Sequence, residues 1–405
     1  MHRLRIAPGC CLLLLSAACG PSDDEVRPVV ALQVPADTVV LEPAITIGLS
    51  DGDPDYLFGS ITSVAADLQG RIYVGDGSAG TVRVYGQDGV FLRRIAGPGQ
   101  GPGEVSGGPV DVSVGPDGRL YVQDDMRVSV FARTTPDGVP DSVVARWTAL
   151  GWARSPARNR VSREGGYYYP AGSYPAGVHP RFFFPKLSDG THDADSLEVP
   201  AYPNLVAHVP TRLRFGVDSR MLRGLSHVPF APIPVWTVTP GGTLYSTDGS
   251  GVLLETSVEG DTIRRVVLPP GRVRAIPTRE RADSLKALEA RLSGIPVPLD
   301  KVEGLSPEVV QRRLPDAPPE VLDLYAGEDG TVWVERWPPD GEEASRHYDV
   351  LDEDGKLIQV VIVRVPMVRS PEPWIGRDVI VGVIRDPGTG VERVVRVERT
   401  RARRP

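Results

Sequence analysis

The sequence predicts an all-β fold: a six-bladed β-propeller of four-stranded antiparallel blades, with a small helical insertion. Three observations carry this. One unit recurs, as "LQGRIYVGD" (68–76), "PDGRLYVQD" (116–124), "REGGYYYPA" (163–171), "PGGTLYSTD" (240–248), "EDGTVWVER" (328–336) and, more weakly, "IGRDVIVGV" (375–383). The turn positions Gly70, Gly118, Gly166, Gly242, Gly330 and Asp378 are spaced 48, 48, 76, 88 and 48 apart, so two of the five intervals carry insertions. Each turn is flanked by alternating apolar runs: "DVSVG" (111–115) before it, "TVRVYG" (81–86) or "HYDVLD" (347–352) after it, then a fourth run such as "GVFLRRI" (89–95) or "GKLIQVVIV" (355–363). Period-2 runs joined by Asp-Gly turns are antiparallel hairpins, and short four-stranded units repeated at this period close radially.

The elements follow in chain order. Residues 1–19, "MHRLRIAPGCCLLLLSAAC", have a basic start, a short apolar run and small residues before a cysteine, which is an export signal too short to span a bilayer. All three cysteines lie here, so a mature chain keeps only Cys19 and has no disulfide framework. Residues 20–36 read as a tether. The body, 37–400, is the propeller, and "DTVVLEPAITIG" (37–48) is expected to supply the outer strand missing from the last repeat, since an unclosed ring leaves two open edges. "DGDPD" (51–55) has calcium-loop spacing, but Tyr56 and Thr62 occupy the positions an EF-hand reserves for Gly and Glu, so a solvated loop is expected.

"GPGQGPGEVSGGP" (97–109) matches neither G-x-G-x-x-G nor the P-loop, and its prolines remove N–H donors. It lies between a fourth strand and the next first strand, so it is read as a connector. The insertions fall at about 201–232 and 269–319, both in connections between repeats, and both are therefore expected on one face. The second contains a helical stretch, "TRERADSLKALEARLSG" (278–294), with Leu285, Leu288 and Leu292 on one stripe, and "SPEVVQRRL" (306–314), which starts like a helix. The pair reads as a lid or strut, or as a docking helix for a partner. Residues 401–405 form a basic tail.

Two resemblances add to this. "SAAC" resembles the lipobox of bacterial lipoproteins, with Ser16 where Leu is usual; the other reading is an ordinary secretory signal. Residues 61–105, with "GxGPGE" at Gly99–Glu104, resemble the NHL-related six-bladed propellers of exported bacterial lipoproteins, over roughly 40–400. The resemblance implies a protein carrying lipid on Cys19, anchored to the outer membrane and facing the periplasm or the cell surface.

Charge and site chemistry bound the function. The net charge of −7 argues against nucleic acid, whose phosphates need a basic footprint. The histidines are dispersed and G-x-S-x-G is absent. The candidate ligand face comprises Asp76, Asp124 and Asp248, each after a second strand, with Arg212 and Arg214 in the first insertion as candidates to meet an anion. The acids either bond their own turns or ring the channel and hold calcium, as in gluconolactonase- and paraoxonase-like propeller hydrolases. Tyr167–Tyr169 and Phe182–Phe184 read either as a ligand floor or as blade core. The leading expectation is a monomeric, membrane-anchored binding module without catalysis or cofactor, taking a carbohydrate, a peptide or an envelope protein. The alternatives are a calcium-dependent hydrolase and an envelope assembly scaffold.

Overall fold

A computed structural model of the chain describes residues 29–31, 37–109, 111–124, 127–135, 138, 142–148, 159–163, 167–171, 182–184, 197–198, 208–215, 220–257, 260–271, 275–293, 302–303, 314–342 and 344–399. The signal segment with Cys19, most of the tether, residues 306–313 and the tail lie outside them. Almost every described element is a strand, and one α-helix accompanies them.

The chain begins with β1 (Val29–Ala31) and β2 (Thr38–Ile47). The first repeat is β3 (Ile61–Ala66), β4 (Ile72–Asp76), β5 (Thr81–Tyr85) and β6 (Phe91–Pro98), with the two-residue β7 (Glu104–Val105) beside β6. The second is β8 (Asp111–Val114), β9 (Arg119–Gln123), β10 (Arg127–Arg133) and β11 (Val143–Thr148). The third is β12 (Arg160–Val161), β13 (Tyr167–Ala171), β14 (Phe182–Phe184) and β15 (Leu197–Glu198). The first insertion forms the hairpin β16 (His208–Phe215) and β17 (Arg220–His227). Next comes the fourth repeat, β18 (Val235–Val238), β19 (Leu244–Thr247), β20 (Val252–Thr256) and β21 (Thr262–Val267). The second insertion carries α1 (Thr278–Ser293) and β22 (Val302–Glu303). The fifth repeat is β23 (Asp323–Ala326), β24 (Val332–Arg336), β25 (Arg346–Leu351) and β26 (Leu357–Val363), and the last is β27 (Trp374–Ile375), β28 (Val379–Arg385) and β29 (Glu392–Arg399).

Every repeat is an antiparallel meander in chain order. The shared turn explains why. Gly70, Gly118, Gly242 and Gly330 all have φ between +76° and +93°, a region closed to most side chains. In front of each, a side-chain oxygen bonds the backbone: Asp67 accepts from the Arg71 N–H, Asp117 from Arg119, Thr239 from Thr243 and Asp329 from Thr331. Three residues past the glycine stand Tyr73, Tyr121, Tyr245 and Trp333, all buried. That recurring ring fills the space between neighbouring sheets.

The sheets form a closed cycle. The inner strand β3 lies against β8, β8 against β12, β18 against β23, and β27 and β28 against β3. Between the third and fourth repeats, the Arg163 N–H donates to the Pro240 carbonyl at 2.9 Å. The N-terminal strand completes the last repeat, as expected: Leu41–Ile47 of β2 pairs antiparallel with β29. It does more, because Thr38–Leu41 also pairs parallel with β26, joining two repeats into one continuous sheet. Leu41 and Ile47 are both buried there. Within the segment read as tether, β1 pairs parallel with β21.

The two insertions meet. β16 pairs with β17 and also with β22, setting Arg212 opposite Glu303 and Leu213 opposite Val302. Leu285 of α1 packs on Val228, Ala231 and Leu314, and the Arg281 guanidinium donates to the Pro315 carbonyl at 2.7 Å. The stretch 97–109 is a connector, in which β7 runs parallel to β6. Gly108 there has φ +92°, and a Cβ on it would lie 2.5 Å from the Gly77 carbonyl oxygen.

Candidate functional site

In each repeat the first strand runs towards the one–two turn, so one face of the ring carries the one–two and three–four turns. The other face carries the two–three turns and the connections between repeats, from which both insertions emerge. The candidate acids lie on this second face. Asp76 is buried and accepts from the Gly59, Ser60, Ser78 and Ala79 N–H groups, and from Arg83 at 2.8 Å. Asp124 accepts from the Ser106 and Arg127 N–H groups and from the Arg127 guanidinium at 2.9 Å. Asp248 accepts from the Ser250 N–H at 2.9 Å. These are turn acids bonding their own loops, and a calcium ion at either of the first two would have to displace an arginine. Among the described residues no three His, Cys, Asp or Glu cluster in metal-binding geometry. Arg212 and Arg214 stand in β16, and their side chains lie outside what is described. Tyr169 stands opposite Phe184 in the sheet, and Tyr167 is blade core, stacked on Tyr121 at 5.3 Å.

The cavity lies at the opposite end of the axis. It has a volume of about 540 Å³ and opens among the one–two turns of the first, second, fifth and last repeats. Its walls are Ala66, Val114, Pro116, Trp374, Val379 and Val381. Trp374 is buried, and its indole N–H is also buried without a hydrogen-bond partner, so the ring shows the void only carbon. Asp67, at the wall, is occupied by Arg71 at 2.7 Å and the Tyr73 hydroxyl at 2.8 Å. Leu68 stands on the lip, 93% exposed, and Arg377 and Asp378 are exposed beside it. A mainly apolar void of this size with a sparse polar rim is what small ligands occupy.

On the insertion face the axis is closed by charge. Arg160, at the start of β12, forms a buried ion pair with Glu372, just before β27, so the bond spans repeats that are not neighbours. Beside it Glu335 accepts from the Tyr325 hydroxyl at 2.7 Å, from Arg346 at 3.1 Å and from Arg369 at 2.8 Å. Asp323, the first residue of β23, accepts from the Leu324 N–H at 2.9 Å. Burial, reinforced by the negative charges of Glu335 and Glu372, pushes its carboxyl up to about 7. Part of its surface still meets solvent. The sequence did offer a signal for it: an acid at the first position of an inner strand, as at Asp111 and Asp323.

No family model matches the chain, and no curated protein does. Similar solved structures include virginiamycin B lyase from Staphylococcus aureus, with 11% identity over 87% of this chain and 98% of that one, at a TM-score of 0.39. A Bacteroides fragilis protein described as exported shares 11% over 92% and 100%, at 0.44. The β-propeller domain of Cps50 (Swd1) from Myceliophteria thermophila shares 10% over 89% and 100%, at 0.37. Likeness at this level says nothing about chemistry.

Proposed function

We propose that the chain is a six-bladed β-propeller, exported and held at the outer membrane through Cys19, that binds a small, largely apolar ligand in its axial cavity without transforming it. The carrying observation is the void of about 540 Å³ walled by Ala66, Val114, Trp374, Val379 and Val381. The six recurring turns and the contact of the last repeat with the first support the blade count. No helix of the described residues is long and apolar enough to cross a membrane. The test is a thermal-shift screen of ligand classes on the chain from residue 19, with Val114→Trp filling the void. A ligand raises the melting temperature of the parent and not of the variant. Equal shifts in both proteins would place binding elsewhere. Acyl labelling should vanish on Cys19→Ala; retained label refutes the anchor.

A second reading, hydrolysis at the insertion face, draws on Asp323, because a carboxyl near 7 suits general acid–base work at neutral pH. Cleavage of model esters and lactones that is lost in Asp323→Asn would favour it. No turnover by the parent protein removes it.

A further inference from the structure

The cavity face carries a second feature, the direction of the N-terminal strand. The fourth strand of each repeat runs away from the three–four turn, which shares the cavity's face. β1 runs parallel to β21, with Val29 opposite Arg265 and Ala31 opposite Val267, so its N-terminal end points towards that face. β2 repeats the sense against β26, with Thr38 opposite Val360 and Leu41 opposite Val363. Nine residues separate Cys19 from Val29. Ten steps of about 3.3–3.6 Å reach roughly 35 Å, so a lipid on Cys19 holds this side of the ring near a bilayer.

The surface fits such a neighbour. Leu68 is 93% exposed on the cavity lip, Val90 is 53% exposed in the three–four turn of the same repeat, and Ile263 is 46% exposed just after the equivalent turn of the fourth. Leu68 and Val90 stand exposed in two turns of the first repeat on this face, and Leu68 puts apolar surface at the mouth of the cavity itself. Charged residues line it as well: Asp67 is occupied by Arg71 and Tyr73, Glu328, Asp329 and Arg396 are half-buried, and Arg377 and Asp378 stand exposed at the mouth. A guanidinium at that level suits the phosphate of a lipid headgroup.

We propose that this face docks on the membrane and that the axial cavity admits the acyl chain of a bilayer phospholipid, with Trp374 as its apolar wall and Leu68 as the point of entry. The proposal rests on the binding reading above and names its ligand class. An aliphatic chain needs no hydrogen-bonding partner, and Trp374 offers none.

The experiment uses the chain from residue 19 carrying Cys19→Ser, so that no covalent lipid competes. It is mixed with phosphatidylethanolamine–phosphatidylglycerol vesicles whose acyl chains are brominated, and tryptophan quenching is read. The expected result is quenching that falls in Trp374→Phe by the share of that one indole. Vesicle affinity should drop at least fivefold in Leu68→Asp, an exposed position where folding is not at stake. Equal quenching in the parent and Trp374→Phe, or unchanged affinity in Leu68→Asp, overturns the proposal. A separate arm adds a short-chain phospholipid below its micelle concentration. If that probe raises the melting temperature of the parent but not of Val114→Trp while vesicles fail to bind, membrane docking is wrong and the binding reading stands. If a water-soluble polar ligand does so instead, the acyl assignment is wrong.

Discussion

Asp323→Asn isolates one ionisation at the insertion face. In the folded chain the Asp323 carboxyl is held at about 7, against an ordinary 3.8, by burial and by Glu335 and Glu372, with Arg369 and the Leu324 N–H opposing. A folded-state value raised above the unfolded one means the native protein binds this proton more tightly. Its stability is therefore intact at low pH and is lost as pH rises from about 4 through 7. At 1.36 kcal/mol per unit, ionising Asp323 inside the fold costs about 4 kcal/mol. Asparagine keeps the acceptor for the Leu324 N–H and removes the charge, so the advantage of the variant should grow with pH. It is about 1 kcal/mol at pH 4.5 and about 4 at pH 8.5. With an unfolding entropy of ~2.1 cal/mol/K per residue over the roughly 290 described residues, the larger figure is a melting-temperature gain of about 7 °C. Urea and thermal unfolding of both proteins across that range measure it, and carboxylates distant from this cluster cancel in the difference. A difference that stays flat with pH, or a parent protein that gains on the variant as pH rises, would falsify the electrostatic account of this cluster.

Three other substitutions probe the scaffold. Gly108→Ala places a Cβ 2.5 Å from the Gly77 carbonyl at φ +92°, and should destabilise by about 1–3 kcal/mol in urea melts; an unaltered midpoint would show that the connector relaxes freely. Tyr167→Ala removes a buried ring stacked on Tyr121 at 5.3 Å and edge-on to Trp147 at 5.9 Å, a loss of about 3–5 kcal/mol. A loss below about 1 kcal/mol would argue that Tyr167 faces solvent. Asp76→Ala strips the partner from buried Arg83 and from four backbone N–H groups, and should cost about 3–5 kcal/mol with no calcium dependence in the melting temperature of either protein. Calcium stabilisation confined to the parent would restore Asp76 as a metal ligand.

The turn glycines Gly70, Gly118, Gly242 and Gly330 (Gly166 lies outside the described residues), the buried aromatic three residues later, the helix at 278–293 and the completion of the last repeat by 38–47 were legible, because each rests on local periodicity or on counting edges. The acids after the second strands were legible as acids at turns, but not in their bonding. Whether Asp76 faces a channel or its own loop depends on where Arg83 and Gly59 fall, and spacing does not encode that. The cavity was invisible for a related reason. Its walls come from Ala66, Val114 and Val381, hundreds of residues apart at the extremes, and Trp374 stands just before the weakest copy of the repeat. The Arg160–Glu372 pair, separated by 212 positions, is of the same kind. Its charges are ordinary in the sequence and become a plug only when the ring closes.

That closure sets an order on folding. β2 near the start of the chain is seated between β26 and, at the other end of the chain, β29, with Leu41 opposite Arg399 and Ile47 opposite Val394. The contact of β27 and β28 with β3 has the same span. Contacts of this sequence separation form late, because chain entropy must be surrendered before they reward it. The earlier repeats can form their meanders from local turns, yet the cavity needs the first, second, fifth and last repeats together, so it exists only in the closed ring. β1, with three parallel pairs on β21, lies outside that closure. A pull on the N-terminal segment would therefore peel β1 before reaching β2, whose buried Leu41 and Ile47 are locked between two repeats. β1 can come away from β21 while β2 and the closure it makes stay seated.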